Sequence, residues 1–494
     1  MRYSAPQNCT GNIYCFPIQI DVKIHPNKLK LIKQILTFGK KILGVKMERI
    51  PSFKAYDIRG KVPGDLNVDL AYKVGRAVVK YLNAKSILIG MDVRKSSPEL
   101  SKALADGITD AGCDAIDLGL CGTEMIYFGT PFLNTDGGVM ITASHNPPEY
   151  NGLKFVKKGS KPMGMESGLS DVEQMILKNE LGEVASTKGK VIQKNIMNEF
   201  ISNLQNFYDA KKIKPLNVVV NAGNGCVGPA LDALEKFLPI KMIKVFHEPD
   251  SNFPNGVPNP LLPENRQPTI DAIKKFKADL GVAWDGDYDR CFFFDEKSNF
   301  IEGYYIVALL AKSILKTNPG EKIVHDPRLV WNTIDEVKKA NGEAVVSVSG
   351  HAFIKQKMRE VNSIYGGEMS AHHYFRDNSY SDSGLIPFLL ILQLISEENK
   401  NLSELVEEMV AAYPCSGEIN STVSDGKAKI ALLKEKYSDG ILDELDGISI
   451  EYPEWRFNVR MSNTEPLLRL NVESKANEKL MHEKTKEILD LIRS

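Results

Sequence analysis

Two short segments hold residues whose types and spacing could do chemistry. In Thr142-Ala143-Ser144-His145-Asn146-Pro147 a polar, Pro-terminated turn follows the apolar run Val139-Met140-Ile141, which reads as the end of a buried strand. The turn presents one hydroxyl, Ser144, beside an imidazole. A serine so placed can act as a nucleophile or carry a phosphoryl group. Taken alone, the segment reads more simply as an Asn-Pro turn whose Ser and Asn satisfy backbone groups. In Trp284-Asp285-Gly286-Asp287-Tyr288-Asp289-Arg290, three carboxylates stand at alternate positions between two apolar runs. If they converge to ~4 Å, each pair repels by roughly 4 kcal/mol at an effective dielectric near 20. A divalent cation relieves that repulsion, and Asp oxygens suit a hard ion such as Mg²⁺. An EF-hand fits less well: Glu296 falls at the twelfth loop position, but Arg290 stands at the sixth, where Gly is needed. A phosphorylatable serine and an Asp-held cation together point to phosphoryl transfer.

Two further segments read as ligand contacts. Gly366-Gly367-Glu368-Met369-Ser370-Ala371-His372-His373 joins a Gly turn to a carboxylate, a hydroxyl and imidazoles. Such a set can bond vicinal sugar hydroxyls, and a His can move a proton near neutral pH. Arg460-Met461-Ser462-Asn463-Thr464-Glu465-Pro466 lies between two apolar stretches, Phe457-Asn458-Val459 and Leu467-Leu468-Arg469-Leu470. One Arg, hydroxyls and an amide in a strand-loop-strand make a phosphate cradle.

The elements that must position these loops repeat one plan of strand, polar loop, helix and second strand. The spacing predicts strands at Ser86–Asp92, Asn217–Val220 and Lys322–Val324. It predicts helices at Ser97–Ala111, Gly228–Phe237 and Asn332–Ala340, and second strands at Ala115–Asp117, Met242–Val245 and Ala344–Val346. Alternating strands and helices imply α/β layers. From about Cys415 the pattern changes to strand, strand and a final helix, Asn477–Ile492, which implies a smaller α+β domain.

The four segments, in this order, resemble the loops of the phosphohexomutase superfamily over roughly Ser52 to the C-terminus. The runs Ile323-Val324-His325-Asp326-Pro327-Arg328, Gly350-His351-Ala352-Phe353-Ile354-Lys355 and Gly367–Phe375 are similar to its bacterial phosphomannomutase branch, which serves GDP-mannose and exopolysaccharide synthesis. The resemblance implies three related mixed α/β domains and a smaller C-terminal α+β domain around a central cleft. The expected divisions are 47–195 with the phosphoserine loop, 196–300 with the metal loop, 301–412 with the sugar loop and 413–494 with the phosphate loop.

It also implies roles. Ser144 matches the phosphoserine, and Asp285, Asp287 and Asp289 match the Mg²⁺ ligands, with the Ser144 phosphate completing the shell. Tyr56 and Arg59 match an early active-site segment, and His145 and Lys154 match residues beside the phosphoserine. Arg290, Arg328 and His351 match residues lining the cleft. Glu368 and Ser370 match the sugar readers, and His372 a candidate acid/base. Arg460, Ser462, Asn463 and Thr464 match the cradle of the distal phosphate. The expected reaction interconverts mannose 6-phosphate and mannose 1-phosphate through a hexose 1,6-bisphosphate, with glucose phosphates as the alternative substrates. Tyr288 departs from the pattern, since many members have Gly there.

Composition agrees with a soluble enzyme. A length of 494 residues predicts three or four domains. Seven cysteines with no CxxC pair imply a reducing compartment, here the cytoplasm, and no disulfide framework. No apolar run reaches ~18 residues, so no membrane span is expected. A net charge of −1 carries no nucleic-acid signal. A monomer or homodimer is expected. The charge is uneven, however: residues 1–46 hold eight Lys/Arg and one acidic residue, a net +7, leaving 54 basic against 62 acidic residues, a net −8, in the remainder. Asn27–Lys46 could form a basic amphipathic helix suited to a membrane surface or to targeting. The resemblance begins just after Met47, which makes Met47 the expected natural start and residues 1–46 an extension outside the fold. Gly223, Gly225 and Gly228 form G-x-G-x-x-G after a strand, with Glu248 about 20 residues on. That is the mark of a rival class, a dinucleotide-dependent oxidoreductase, but it leaves the serine, Asp and phosphate loops unexplained. A catalytically silent sugar-phosphate binding protein is a third class, opposed by the retention of Ser144 and all three Asp.

Overall fold

A computed structural model describes residues 49–461 and 467–494. The basic amphipathic stretch and Ser462, Asn463 and Thr464 lie outside the described residues.

Three sheets share one strand plan. In the first, Asp114–Leu120, Ser86–Met91 and Gly137–Ile141 run parallel, and Tyr150–Lys157 and Ile58–Lys61 continue the sheet antiparallel. In the second, Lys241–Val245, Asn217–Asn221 and Leu280–Trp284 are parallel, followed antiparallel by Cys291–Phe294 and Phe300–Ile301. In the third, Glu343–Val346, Lys322–His325 and Tyr365–Gly367 are parallel, followed by His373–Phe375 and Ser381–Asp382. In each, the third parallel strand turns back into an antiparallel neighbour. The serine, Asp and Glu368 loops are those three turns.

Helices cover these sheets as α/β layering requires. The expected helices form at Ser97–Asp110, Gly228–Glu235 and Trp331–Lys339, each within two residues of its expected bounds. Helix Leu385–Glu398 is apolar on nearly every side, which only a buried helix can be. It belongs to a continuous core that runs from Leu88 and Ile126 through Val220 and Trp284 to Ile323 and Phe388, so the first three sheets share one interior.

The C-terminal part has its own core of Leu433, Phe457, Val459, Leu470, Val472 and Ile488. Its sheet is antiparallel throughout, in the order Ile419–Thr422, Leu467–Ser474, Trp455–Met461, Ile448–Glu451, Ile441–Asp443. This is richer than two strands and a helix. Besides the final helix Glu478–Arg493 there is Gly426–Lys436, which buries only Leu433 and so shows little apolar periodicity. Two of the added strands, Ile441–Asp443 and Ile419–Thr422, are short and mostly exposed, so alternation does not mark them.

Among the described residues no helix is long and apolar enough to cross a membrane. The described cysteines, Cys113, Cys121, Cys226, Cys291 and Cys415, are free thiols.

Candidate active site

The serine loop is clamped by its backbone. Arg94, which is 1% exposed, donates to the carbonyls of Ser144 (2.8 Å), Asn146 (2.6 Å), Pro147 (2.8 Å) and Tyr150 (3.0 Å). The Asp92 carboxylate holds Arg94 in turn at 3.2 Å. Ser144 adopts φ 50°, a left-handed conformation uncommon for a residue with a Cβ, and its N–H donates to Thr142 Oγ1 at 2.8 Å. Strain of this kind persists only where the surroundings hold it. Neither Arg94 nor Asp92 was expected from the sequence. The available signal was an Asp-x-Arg directly after a strand end.

The Asp loop meets the serine loop at Gly286. A Cβ there would lie 2.5 Å from the Ser144 carbonyl oxygen, so only glycine allows the approach. Of the Gly223-Gly225-Gly228 run, Gly225 serves the same packing, while Gly223 and Gly228 face Pro258 and the His247 carbonyl. Cys226 N–H donates to Gly286 O at 3.0 Å, and a Cβ on Gly225 would lie 2.8 Å from that oxygen. Tyr288 sits at φ 47°, where glycine is the easy choice, and its ring fills the space that a side chain on Gly122 would need. The departure at 288 is thus accommodated by a glycine opposite it.

Ser144 Oγ donates to Asp285 Oδ2 at 2.7 Å, lies 3.0 Å from His145 Nδ1, and accepts from Arg290 Nη2 at 3.3 Å. Asp285, Asp287 and Asp289 are buried, and each offers an oxygen within 4.8 Å of the others. Lys154 Nζ bonds Asp287 Oδ2 at 2.7 Å and Asp289 Oδ2 at 2.6 Å, and Arg290 bonds Asp285 through Nε (2.8 Å) and Nη2 (2.7 Å). Thr123, at the N-terminus of helix Thr123–Phe132, donates its hydroxyl to Asp287 and its N–H to the Asp287 carbonyl at 3.1 Å. Thr123 too was not foreseen.

Burial lifts the Asp285 carboxyl, with Arg290 opposing and the other two carboxylates adding. Burial also works to raise Asp289, but Lys154 and Arg290 bring it below the usual carboxylate range. Lys154 is held charged: burial would discharge it, but Asp287 and Asp289 outweigh that. Asp287 Oδ1 and Asp289 Oδ1 are buried without a hydrogen-bond partner. Hard oxygens, close together and partly unused, fit a small divalent cation.

Arg290 joins the third sheet, pairing its backbone with His372. His372 Nε2 lies 3.7 Å from Asp289 Oδ1, and its Nδ1 lies 3.4 Å from Ser370 Oγ. Burial, then Arg290, push its pKa well below the ordinary imidazole value; the same causes, with Arg59, do so for His145. Glu368 accepts from Gly350 N–H (2.8 Å) and Tyr374 OH (2.5 Å), with Arg328 at 3.5 Å. Arg328 also donates to Ser370 Oγ at 3.2 Å. His351 opens helix His351–Val361, its two ring nitrogens buried without partners, and meets the Tyr56 ring edge-on at 5.0 Å between centroids. Arg59 Nη1 donates to Asn146 Oδ1 at 2.7 Å, which ties the early segment to the serine loop.

The fourth sheet closes the far side. Arg456 donates to the Arg328 and Pro327 carbonyls at 3.0 and 3.1 Å, and Glu473 accepts from Val330 N–H at 2.8 Å. Arg460 stands on strand Trp455–Met461 and contacts Glu418 at 3.2 Å.

Three α/β sheets converge on a serine, three aspartates and a carboxylate–histidine loop, with a fourth sheet beside them, which is the arrangement of an α/β enzyme. Family models of phosphoglucomutase/phosphomannomutase match along the described chain: α/β/α domain I at residues 51–182, domain II at 198–299, domain III at 302–413 and the C-terminal domain at 418–491. The chain belongs to this family of phosphohexomutases, which are isomerases. It is 50% identical to an Escherichia coli K12 phosphomannomutase over 90% of this chain and all of that one. It is 51% identical to Xanthomonas campestris phosphohexose mutases over 90% and 99%. A Burkholderia thailandensis crystal structure of the family superposes with a TM-score of 0.79 at 31% identity, covering 90% of this chain and 98% of that one. Membership leaves no place for the oxidoreductase reading.

Proposed function

We propose that the chain is a Mg²⁺-dependent phosphomannomutase acting through phospho-Ser144 and a hexose 1,6-bisphosphate. The observation that carries this is the Ser144 hydroxyl, 2.7 Å from one of three buried aspartates and 3.3 Å from a buried arginine, in a chain half-identical to phosphomannomutases. A cation held by Asp285, Asp287, Asp289 and the Ser144 phosphate would neutralise charge on the transferring group. Arg290 Nη2 faces Ser144 Oγ and stabilises it as the leaving oxygen. His372, kept neutral, takes the proton of the attacking sugar hydroxyl on Nε2. Glu368 and Ser370 orient the ring, and Arg460 with Ser462, Asn463 and Thr464 holds the phosphate that is not reacting. The bisphosphate turns, and Ser144 takes back the other phosphoryl group. Mannose 1-phosphate made in this way would supply GDP-mannose and surface polysaccharide in the cytoplasm.

Intact-mass measurement should find Ser144 partly phosphorylated, and Ser144→Ala should lose nearly all mutase activity. No added phosphate after incubation with a hexose 1,6-bisphosphate, together with an active Ser144→Ala, would sink the mechanism. The ratio of kcat/KM for mannose 1-phosphate and glucose 1-phosphate decides the sugar.

A further inference from the structure

An anion of the protein's own stands beside Arg460. Glu418, which follows Gly417 at φ 64°, meets three arginines: Arg328 in the loop after Lys322–His325, and Arg460 and Arg469 on strands of the fourth sheet. Arg328 Nη1 and Arg460 Nη2 both reach Oε2 at 3.2 Å, and Arg469 Nη1 reaches Oε1 at 3.1 Å. Burial alone would raise this carboxyl, but Arg328, Arg460 and Arg469 pull it down to about 2, so it is ionised at any working pH. The three contacts are longer than the 2.7–2.9 Å usual for charge-assisted bonds. Arg328 holds Asp326 at 2.6 Å in the same cluster. Glu418 is therefore shared loosely by three cations, and Arg460 keeps a buried Nε–H without a partner.

From this geometry we infer that Glu418 is a positioning residue that competes with substrate phosphate for Arg460 and keeps the grip on that phosphate reversible. The inference rests on the mutase reading above. A bisphosphate must release one phosphate and present the other before Ser144 can recover a phosphoryl group. Without the Glu418 carboxylate, the arginines would hold a phosphate dianion too tightly for that. With Glu418 present, its carboxylate offsets part of the charge of the arginines, and phosphate and carboxylate repel across a shared guanidinium.

The test is Glu418→Gln, which keeps the shape and removes the charge, with inorganic phosphate as probe. Phosphate should bind about ten-fold tighter to the variant by calorimetry, a change of about 1.4 kcal/mol. Phosphate should also raise the variant's Tm more than the wild type's. With mannose 1-phosphate, KM should fall and kcat should fall with it, because release is slowed. Glu418→Asp should recover much of kcat. A role confined to holding the loop in shape predicts the reverse, with weaker phosphate binding and a higher KM in a variant of normal circular dichroism, and that result overturns the inference. Wild-type protein inactive on hexose phosphates would instead defeat the mutase reading, whatever Glu418→Gln does to phosphate binding.

Discussion

Lys154→Met tests how the three carboxylates are balanced. Lys154 bonds two of them at 2.7 and 2.6 Å, and its side chain is only 8% exposed. Methionine fills most of its volume but takes the ammonium from Asp287 and leaves Asp289 with only Arg290, at 4.0 Å. Breaking a buried pair by removing one partner costs about 3–5 kcal/mol. The unfolding entropy is about 2.1 cal/mol/K per residue, so roughly 450 described residues unfolding together give about 0.9 kcal/mol/K. The expected loss is therefore about 3–5 °C in Tm, read by scanning calorimetry in excess chelator. A divalent cation neutralises the same oxygens, so added Mg²⁺ should recover most of the deficit and should raise the variant's Tm more than the wild type's. Activity should not recover with it: kcat should stay about 100-fold down, the scale on which a misplaced group beside the reacting atoms costs rate. A Lys154→Met protein as stable as wild type in chelator, or one whose Tm ignores Mg²⁺, would show that Lys154 and a cation do not answer the same charges.

Gly286→Ala should lower kcat about 100-fold with a small loss of Tm, because its Cβ, 2.5 Å from the Ser144 carbonyl oxygen, must push the nucleophile aside; an unchanged kcat would mean that the serine loop moves freely. Arg460→Ala should weaken mannose and glucose phosphates alike, by roughly 10- to 150-fold for a lost charge-assisted contact. Glu368→Gln should cut kcat/KM while leaving the inhibition constant of inorganic phosphate unchanged, and a swap of these two outcomes would reverse the roles of the loops. The His372 pKa is lowered, so the ring is neutral above the ordinary imidazole value and protonates only well below it. At saturating substrate, kcat should therefore show no step near pH 6.5; a step there that vanishes in His372→Gln would refute the assignment.

Much of this was legible because the residues that do chemistry sit in loops bounded by strong apolar signals. Val139-Met140-Ile141 and Cys291-Phe292-Phe293-Phe294 are buried strands, so the polar turns beside them stand out. The expected helices in the first three units formed because each has an amphipathic face against a core, Ser97–Asp110 against that of the first unit and the other two against the shared one. Arg94, Thr123 and Glu418 were not legible for a different reason. Arg94 bonds carbonyls 50 to 56 residues away, and Thr123 reaches a carboxylate 164 residues away. Glu418 takes its meaning from arginines that three separate elements bring to it. A single residue between ordinary neighbours shows no such partnership until the chain is folded. The G-x-G-x-x-G run misled in the opposite way: its spacing suits a nucleotide turn, but here Gly225 makes room for the Asp loop and Gly223 and Gly228 for Pro258 and the His247 backbone.

The shared slot of the serine, Asp and Glu368 loops has a further meaning. Each leaves the third parallel strand of its sheet and returns on the antiparallel neighbour. Tandem duplication of one ancestral gene segment would leave this record: a single turn copied, each copy then given its own chemistry. The copies are no longer independent, since Gly286 packs on the Ser144 carbonyl and Arg290 pairs with His372. On the proposed reading, a change of the hexose accepted would fall on the third turn. Grafting that turn between relatives is accordingly the shortest route to a changed sugar preference.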